Sequence, residues 1–396
     1  MKFPGLFRIT FWKALAVIFM TAGLIAAIWR YSQGLGPTTN LSDRFPWGIW
    51  IGFDILVGVG LAAGGFIIAA TVYIFNIERF RPILRPTILT AFLGYLLVIA
   101  GLLVDLGRPW AIWHAIIYWN PHSVMFEVAW CVMLYTTVLA LEFSPVVFER
   151  FNMQRPLKII RAITIPLVVA GVILSTLHQS SLGSLFLIIP SRMHPLWYSN
   201  IIPFLFIISC VAAGLAMTIF ESFLSARAFG RDIEMPLLSD LARVIAVVLA
   251  LYFTVRVQDL MTRDALQYAF EFSYQSILFA GEIVLGVVVP FFLLLSRRIR
   301  ESRTGLFYSS VLVILGFIAH RINTAITSME QWPTKTYIPS WQEITITAGL
   351  VAFGFTAFGF VARYFNVFGH EVEKKGSLAE AGAREEIVEG AVVPSK

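Results

Sequence analysis

The chain has 396 residues, of which 58% are hydrophobic and only 14% charged, and its mean hydropathy is +0.78. A soluble domain is about 25% charged, so one buried core cannot account for this composition and the chain reads as a polytopic membrane protein. The net charge of +6 does not mark a nucleic-acid partner, because the basic residues fall in short connections between apolar runs. Both cysteines, Cys131 and Cys210, lie inside apolar runs. That excludes a disulfide framework and any zinc or iron–sulfur site ligated by cysteines of this chain alone.

A bilayer is crossed by about 18–25 apolar residues in a helix. Ten such runs predict an all-α protein with spans at roughly 11–29, 51–75, 87–106, 124–143, 160–181, 201–224, 241–258, 276–295, 306–326 and 342–365. The first follows Lys2, Arg8 and Lys13, as a signal peptide would. Its length and the lack of a small-residue cleavage site favour a retained span. In the second, Gly60 and Gly64 form a small-xxx-small pair that predicts a close helix contact. Residues 1–370 make up the membrane domain. The charged stretch 371–396 is expected to be a disordered cytoplasmic tail.

Basic residues set the orientation, since they accumulate in cytoplasmic loops. One set of connections carries Arg79, Arg81 and Arg85, then Arg150, Arg155, Lys158 and Arg161, then Arg227, Arg231 and Arg243, then Arg297, Arg298, Arg300 and Arg303. The alternate set is sparse. Both termini are therefore expected in the cytoplasm, with the loops around His114, His194 and Trp332 on the periplasmic side of a bacterial inner membrane. Those outer loops also hold Trp47, Trp50, Trp110, Trp113, Trp119, Trp197 and Trp341. They read equally as an aromatic belt at the headgroups and as a docking platform for another subunit.

Ionisable residues inside spans are costly and are functional candidates by default. With this topology Asp54, Asp105, Arg108, Glu127, His178, Gln179, Arg256, Asp259, Glu282, His320 and Arg321 are expected at one depth near the outer face. Singly, many read as structural pairs, for example Asp105 with Arg108 at a helix end. Together they predict one shared polar pocket. Glu142 and Glu221 lie toward the inner ends of spans four and six. They read either as solvated interfacial groups or, with Glu127, as points on a proton route. A b-type haem needs axial ligands, commonly a histidine pair. His178 and His320 are the only histidines in spans, so one haem is conceivable and a second is not. A secondary transporter is a further alternative, but its site is expected at the midplane between repeated halves.

The stretches "FPWGIWIGFDILVGVGLAAGG" (45–65), "VDLGRPW" (104–110), "NPHSVMFEVAW" (120–130), "LALEFSPVVFER" (139–150), "LHQSSLGSL" (177–185), "HPLWYS" (194–199) and "IFES" (219–222) together resemble the NrfD/PsrC family. Its HybB-type branch, the integral membrane subunit of periplasmic [NiFe] hydrogenases, is the most similar. The resemblance implies a ten-span protein without haem or metal that binds menaquinone or ubiquinone near the periplasmic face. It implies electron exchange with a ferredoxin-like four-cluster iron–sulfur subunit. That subunit in turn serves a catalytic partner such as hydrogenase large and small subunits, a molybdopterin reductase or a multihaem cytochrome. Within that reading His178 is expected to bond a quinone carbonyl, with Gln179, Asp54, Asp105 and Arg108 orienting it. Glu127 is expected to donate a proton, and Glu127, Glu142 and Glu221 match the family's proposed proton-conducting acids.

Overall fold

The computed structural model describes residues 10–43, 45–330 and 337–368. The expected tail at 371–396 and the Trp332 loop tip lie outside them. Among the described residues, ten helices are long and apolar enough to cross a membrane. They are α1 (Phe11–Gln33), α2 (Trp50–Tyr73), α3 (Glu78–Asp105), α4 (Val124–Arg150), α5 (Thr164–Ile188), α6 (Ile202–Phe229), α7 (Met235–Thr262), α8 (Tyr274–Leu295), α9 (Arg303–Met329) and α10 (Trp341–Tyr364). No β-strand occurs among the described residues; the backbone in lipid must satisfy itself, and helices do so within one segment.

The helices form two four-helix bundles. In the first, α2, α3, α4 and α5 pack side by side, and in the second α6, α7, α8 and α9 do the same. The bundles meet where α2 and α5 lie against α6. Consistent with that central place, α2 and α6 bury most of their residues, whereas α1 and α10 bury few. Those two pair with each other and lean on α3 from outside. In lipid there is no hydrophobic drive between helices, so close backbone approach must supply the packing. The Gly60–Gly64 pair does this: a Cβ on Gly60 would strike the Phe317 ring of α9, and one on Gly64 would strike the Gly214 carbonyl and Thr218 of α6. Gly286 of α8 and Gly316 of α9 are so close that a Cβ on either would meet the other's Cα.

Local signals mark the ends. Ser340 and Glu343 form a reciprocal capping box at the start of α10, as S-x-x-E before an apolar run should. At the arginine-rich end, Arg79 pairs with Asp240, while Arg85 and Arg161 share Glu149. Two helices carry a π-helical stretch, Trp50–Ile55 at the start of α2 and Val284–Val288 within α8. Both stand beside a buried carboxylate, Asp54 and Glu282 respectively.

The α5 helix departs from its predicted end. The apolar run closes near residue 181, but helix continues to Ser184 and a 3-10 turn to Ile188. His178 therefore sits ten residues inside the span, about 15 Å from its end at 1.5 Å per residue. It lies well inside the tryptophan-rich end of the bundle, deeper than the hydropathy pattern implies.

Candidate functional site

Instead of one pocket, the polar residues divide into three groups. The first fills the middle of the first bundle. His178 and Gln179 of α5 are wholly buried. His178 Nδ1 is 2.9 Å from Tyr95 Oη of α3, and Tyr95 meets Tyr135 of α4 edge-on with ring centroids 4.7 Å apart. Ser175, one turn before Gln179, lies beside both phenols, but its Oγ does not meet hydrogen-bond geometry with either. His178 Nε2, both amide atoms of Gln179, Ser175 Oγ and Tyr135 Oη are buried without a partner among the described residues. Buried polar atoms are rarely left so, because each costs about 1–3 kcal/mol. They stand on two neighbouring helices, α4 and α5, and make a cluster of unused donors and acceptors beside Tyr95 of α3.

Below this group, one Glu142 carboxylate oxygen would be 3.6 Å from a Cβ placed on Gly171, as would the edge of the Tyr135 ring. Glu142 is seven residues from Tyr135 on α4, about 10 Å further toward the arginine-rich end. It is half-buried. Glu221 is buried in α6 beside a small gap that it lines with Thr87, Thr90 and Thr218, and its two carboxylate oxygens have no hydrogen-bond partner among the described residues.

The second group lies at the tryptophan-rich end, between the first bundle and the α1–α10 pair. Asp54 Oδ2 accepts a 2.6 Å bond from Thr347 Oγ1 of α10. The expected pairing of Asp105 with Arg108 does not form. Arg108 is exposed in the loop. Its place is taken by Arg30 of α1, whose Nε and Nη2 donate to the carbonyls of Val104 and Leu106 at the end of α3. Arg30 also provides the cationic neighbour of Asp105. A helix end leaves carbonyls unbonded, and a guanidinium offers a fork of donors that suits them. Glu127 is half-buried one turn into α4, and its carboxylate forms no hydrogen bond or ion pair among the described residues. Asp54, Asp105, Arg108 and Glu127 thus do not touch His178. Tyr95 and Asp105 are themselves ten residues apart on α3, about 15 Å.

The third group occupies the second bundle. Glu282 of α8 is buried and accepts from His320 Nδ1 at 2.8 Å, Asn323 Nδ2 at 2.9 Å and Trp197 Nε1 at 3.0 Å. Arg256 and Arg321 are wholly buried beside it. Arg321 stacks on Phe206 and Phe317 and donates to the Phe206 carbonyl. Arg256 donates to the Leu196 carbonyl. Asp259 receives Ser199 Oγ and Arg263, and Arg263 also reaches the Pro195 carbonyl. The "HPLWYS" loop is thereby tied to α7 and α8 of the second bundle by four side-chain contacts. Burial holds His194 in this loop below the usual imidazole range, and its Nδ1 accepts the Leu196 N–H.

Tyr95, Tyr135 and Ser175 are not among the residues that the sequence singles out. A tyrosine or serine in the middle of an apolar run is ambiguous alone, and only pairing across helices reveals its role. The tryptophans, treated alike in sequence, also separate. Trp50 and Trp197 are buried, while Trp110, Trp113, Trp119 and Trp341 are exposed.

Comparison with known proteins is consistent with this architecture. The profile of the polysulphide reductase NrfD family matches residues 37–331. A probable Ni/Fe-hydrogenase 2 b-type cytochrome subunit of Escherichia coli (strain K12) is 33% identical over 341 residues, covering 85% of this chain and 86% of that one. The integral membrane subunit of a menaquinone reductase from Nitratidesulfovibrio vulgaris is 26% identical over 93% of this chain and 94% of its own. The integral membrane subunit of an Hdr-like menaquinol oxidoreductase from Archaeoglobus fulgidus is 22% identical over 81% of this chain and 79% of its own.

The name of the Escherichia coli relative raises the question of haem, and the residues here do not fit one. His178 and His320 stand in different bundles, so they do not flank one macrocycle as an axial pair. The cavity at His320 is only about 30 Å³, far too small for a porphyrin. No cluster of three or more potential metal ligands occurs among the described residues.

Proposed function

The chain belongs to the polysulphide reductase NrfD family, and from that membership we propose that it is the quinone-reactive membrane subunit of a respiratory redox complex. The observation that carries the reading is the buried His178–Tyr95 pair, with His178 Nε2 and the adjacent Gln179 amide unpartnered among the described residues. When the Tyr95 hydroxyl donates to Nδ1, the neutral ring carries its proton on Nε2. That N–H and the Gln179 amide N–H are the donors a quinone carbonyl needs, in a buried setting that strengthens both bonds.

Reduction of a quinone to a quinol consumes two electrons and two protons. Electrons arrive from an iron–sulfur subunit docked at the tryptophan-rich end, where exposed Trp110, Trp113 and Trp119 offer apolar contact. Protons reach His178 through Tyr95, Ser175 and Tyr135 from Glu142, with Glu127 and Glu221 as further acids of the route. General acid catalysis needs such groups within hydrogen-bond reach of one another, directly or through one water. Asp54, Asp105 and Arg108 act at the mouth of the site, at the level of the outer loops.

The finer reading is an H2:menaquinone complex of a bacterial inner membrane, with [NiFe] hydrogenase subunits on the periplasmic side. It rests on the Escherichia coli relative for the hydrogenase and on the Nitratidesulfovibrio relative for menaquinone. The test is His178→Ala in the intact complex. Quinone-coupled turnover should be lost while artificial-acceptor activity of the catalytic subunit remains. Unchanged quinone kinetics would refute the site.

A further inference from the structure

We propose that His320 and Glu282 form a second proton-binding site, separate from the quinone site and served by internal water in the second bundle. The proposal rests on the quinone reading only in that turnover of the complex drives the measurement.

The chemistry begins with the carboxylate. Both oxygens of Glu282 accept from N–H donors, Oε1 from His320 and Oε2 from Trp197 and Asn323. A carboxylate so fully engaged is held as the anion. It fixes the imidazole with its proton on Nδ1, which leaves Nε2 as a bare acceptor. His320 Nε2 is buried and has no partner among the described residues. This tautomer is the reverse of that inferred for His178: one ring presents a donor and the other an acceptor.

The dyad borders a cavity. His320, Glu282 and Tyr252 are among the residues lining a space of about 30 Å³, together with Ser209, Val313 and Gly316. A water needs about 10–15 Å³ of such space and two or more polar partners. His320 and Tyr252, both lining residues, each carry an unpartnered polar atom, Nε2 and Oη, that a water there would bond. From His320 to Val313 along α9 is seven residues, about 10 Å, directed toward the arginine-rich end. Buried Ser309 and Ser310 follow on the same helix. These hydroxyls lie on the side of the dyad from which the proposed Glu142 route also starts.

The proton balance is simple. A hydrated proton in the cavity transfers to Nε2 and forms an imidazolium whose charge is offset by Glu282 across the Nδ1–H bond. Release returns the proton from Nε2 to water, and no redox change is involved. The charged or titratable groups around the ring are Tyr252, Arg256 and Asp259 on α7, Glu282 on α8, Arg321 on α9 and Cys210 on α6. The two buried guanidiniums favour the release step, because they repel the imidazolium. Trp197, which holds Glu282, belongs to the same apolar cluster as Tyr95 and Tyr135.

The test uses the purified complex in proteoliposomes, with reduced benzyl viologen as donor, a soluble menaquinone analogue as acceptor and an internal pH dye. His320→Gln and Glu282→Gln should lose proton displacement per electron while quinone turnover is retained, and Glu282→Asp should restore part of it. Ala212→Val, which narrows the cavity but leaves the dyad intact, should show the same loss and guards against misfolding of the charge variants. Displacement equal to the parent in all of these would overturn the proposal. So would joint loss of turnover and displacement, which would make the dyad part of the quinone chemistry. The quinone reading fails separately, if His178→Ala turns over quinone as the parent does. That result would leave the comparison of the His320 variants with the parent intact.

Discussion

Whether a buried histidine gives or takes a proton depends on what occupies its other ring nitrogen. For His178 the neighbour is the Tyr95 hydroxyl at 2.9 Å. Tyr95→Phe deletes one hydrogen bond of about 1–1.5 kcal/mol, so quinone-coupled turnover should fall about tenfold, less than in His178→Ala. Steady-state kinetics of the complex in membranes would check this ordering. Arg30 illustrates the same dependence on partners. In sequence it belongs to the loop after the first span, yet it closes the end of α3 in place of Arg108. Arg30→Ala should therefore destabilise the detergent-solubilised protein by about 1–3 kcal/mol through two unbonded carbonyls, seen as a lower melting temperature. Arg108→Ala should leave melting unchanged, because Arg108 is exposed.

At the scale of elements, packing without side chains joins α8 to α9. Gly316→Leu places a branched side chain where a Cβ already meets the Gly286 backbone. Overpacking costs about 1–3 kcal/mol or more, and less folded protein should be recovered from membranes. The loop at 194–199 is an element in its own right, held by Arg256, Arg263, Asp259 and Glu282. His194 contributes a pH dependence to it. Burial lowers its folded-state pKa, so the unfolded loop binds the proton more readily. Stability is therefore full above the unfolded value of about 6.5 and is lost as pH falls below it. Hydrogen exchange of the loop should accelerate between about pH 7 and pH 5, and His194→Asn should remove most of that change.

The whole molecule is two bundles side by side with a peripheral α1–α10 pair, and each bundle holds one buried histidine near mid-span. The arginine asymmetry of the connections predicts which end faces the cytoplasm. An impermeant maleimide should label Phe272→Cys in whole cells stripped of their outer membrane and should leave Arg155→Cys unlabelled until the membrane is opened. The number of spans, their approximate limits and the all-α class were determined by sequence alone. A bilayer demands long apolar helices, and that demand is met residue by residue along the chain. The Gly60–Gly64 contact and the singularity of His178 were legible for the same reason, since each is an anomaly within its own span. The tertiary structure decided which polar groups meet. It separated a single expected layer into three nests, moved His178 inward by extending α5, replaced Arg108 with Arg30, and joined Tyr95 to His178 and Glu282 to His320. Those pairings depend on helix rotation and on neighbours 38 to 83 residues away in sequence, which a one-dimensional hydropathy pattern does not encode.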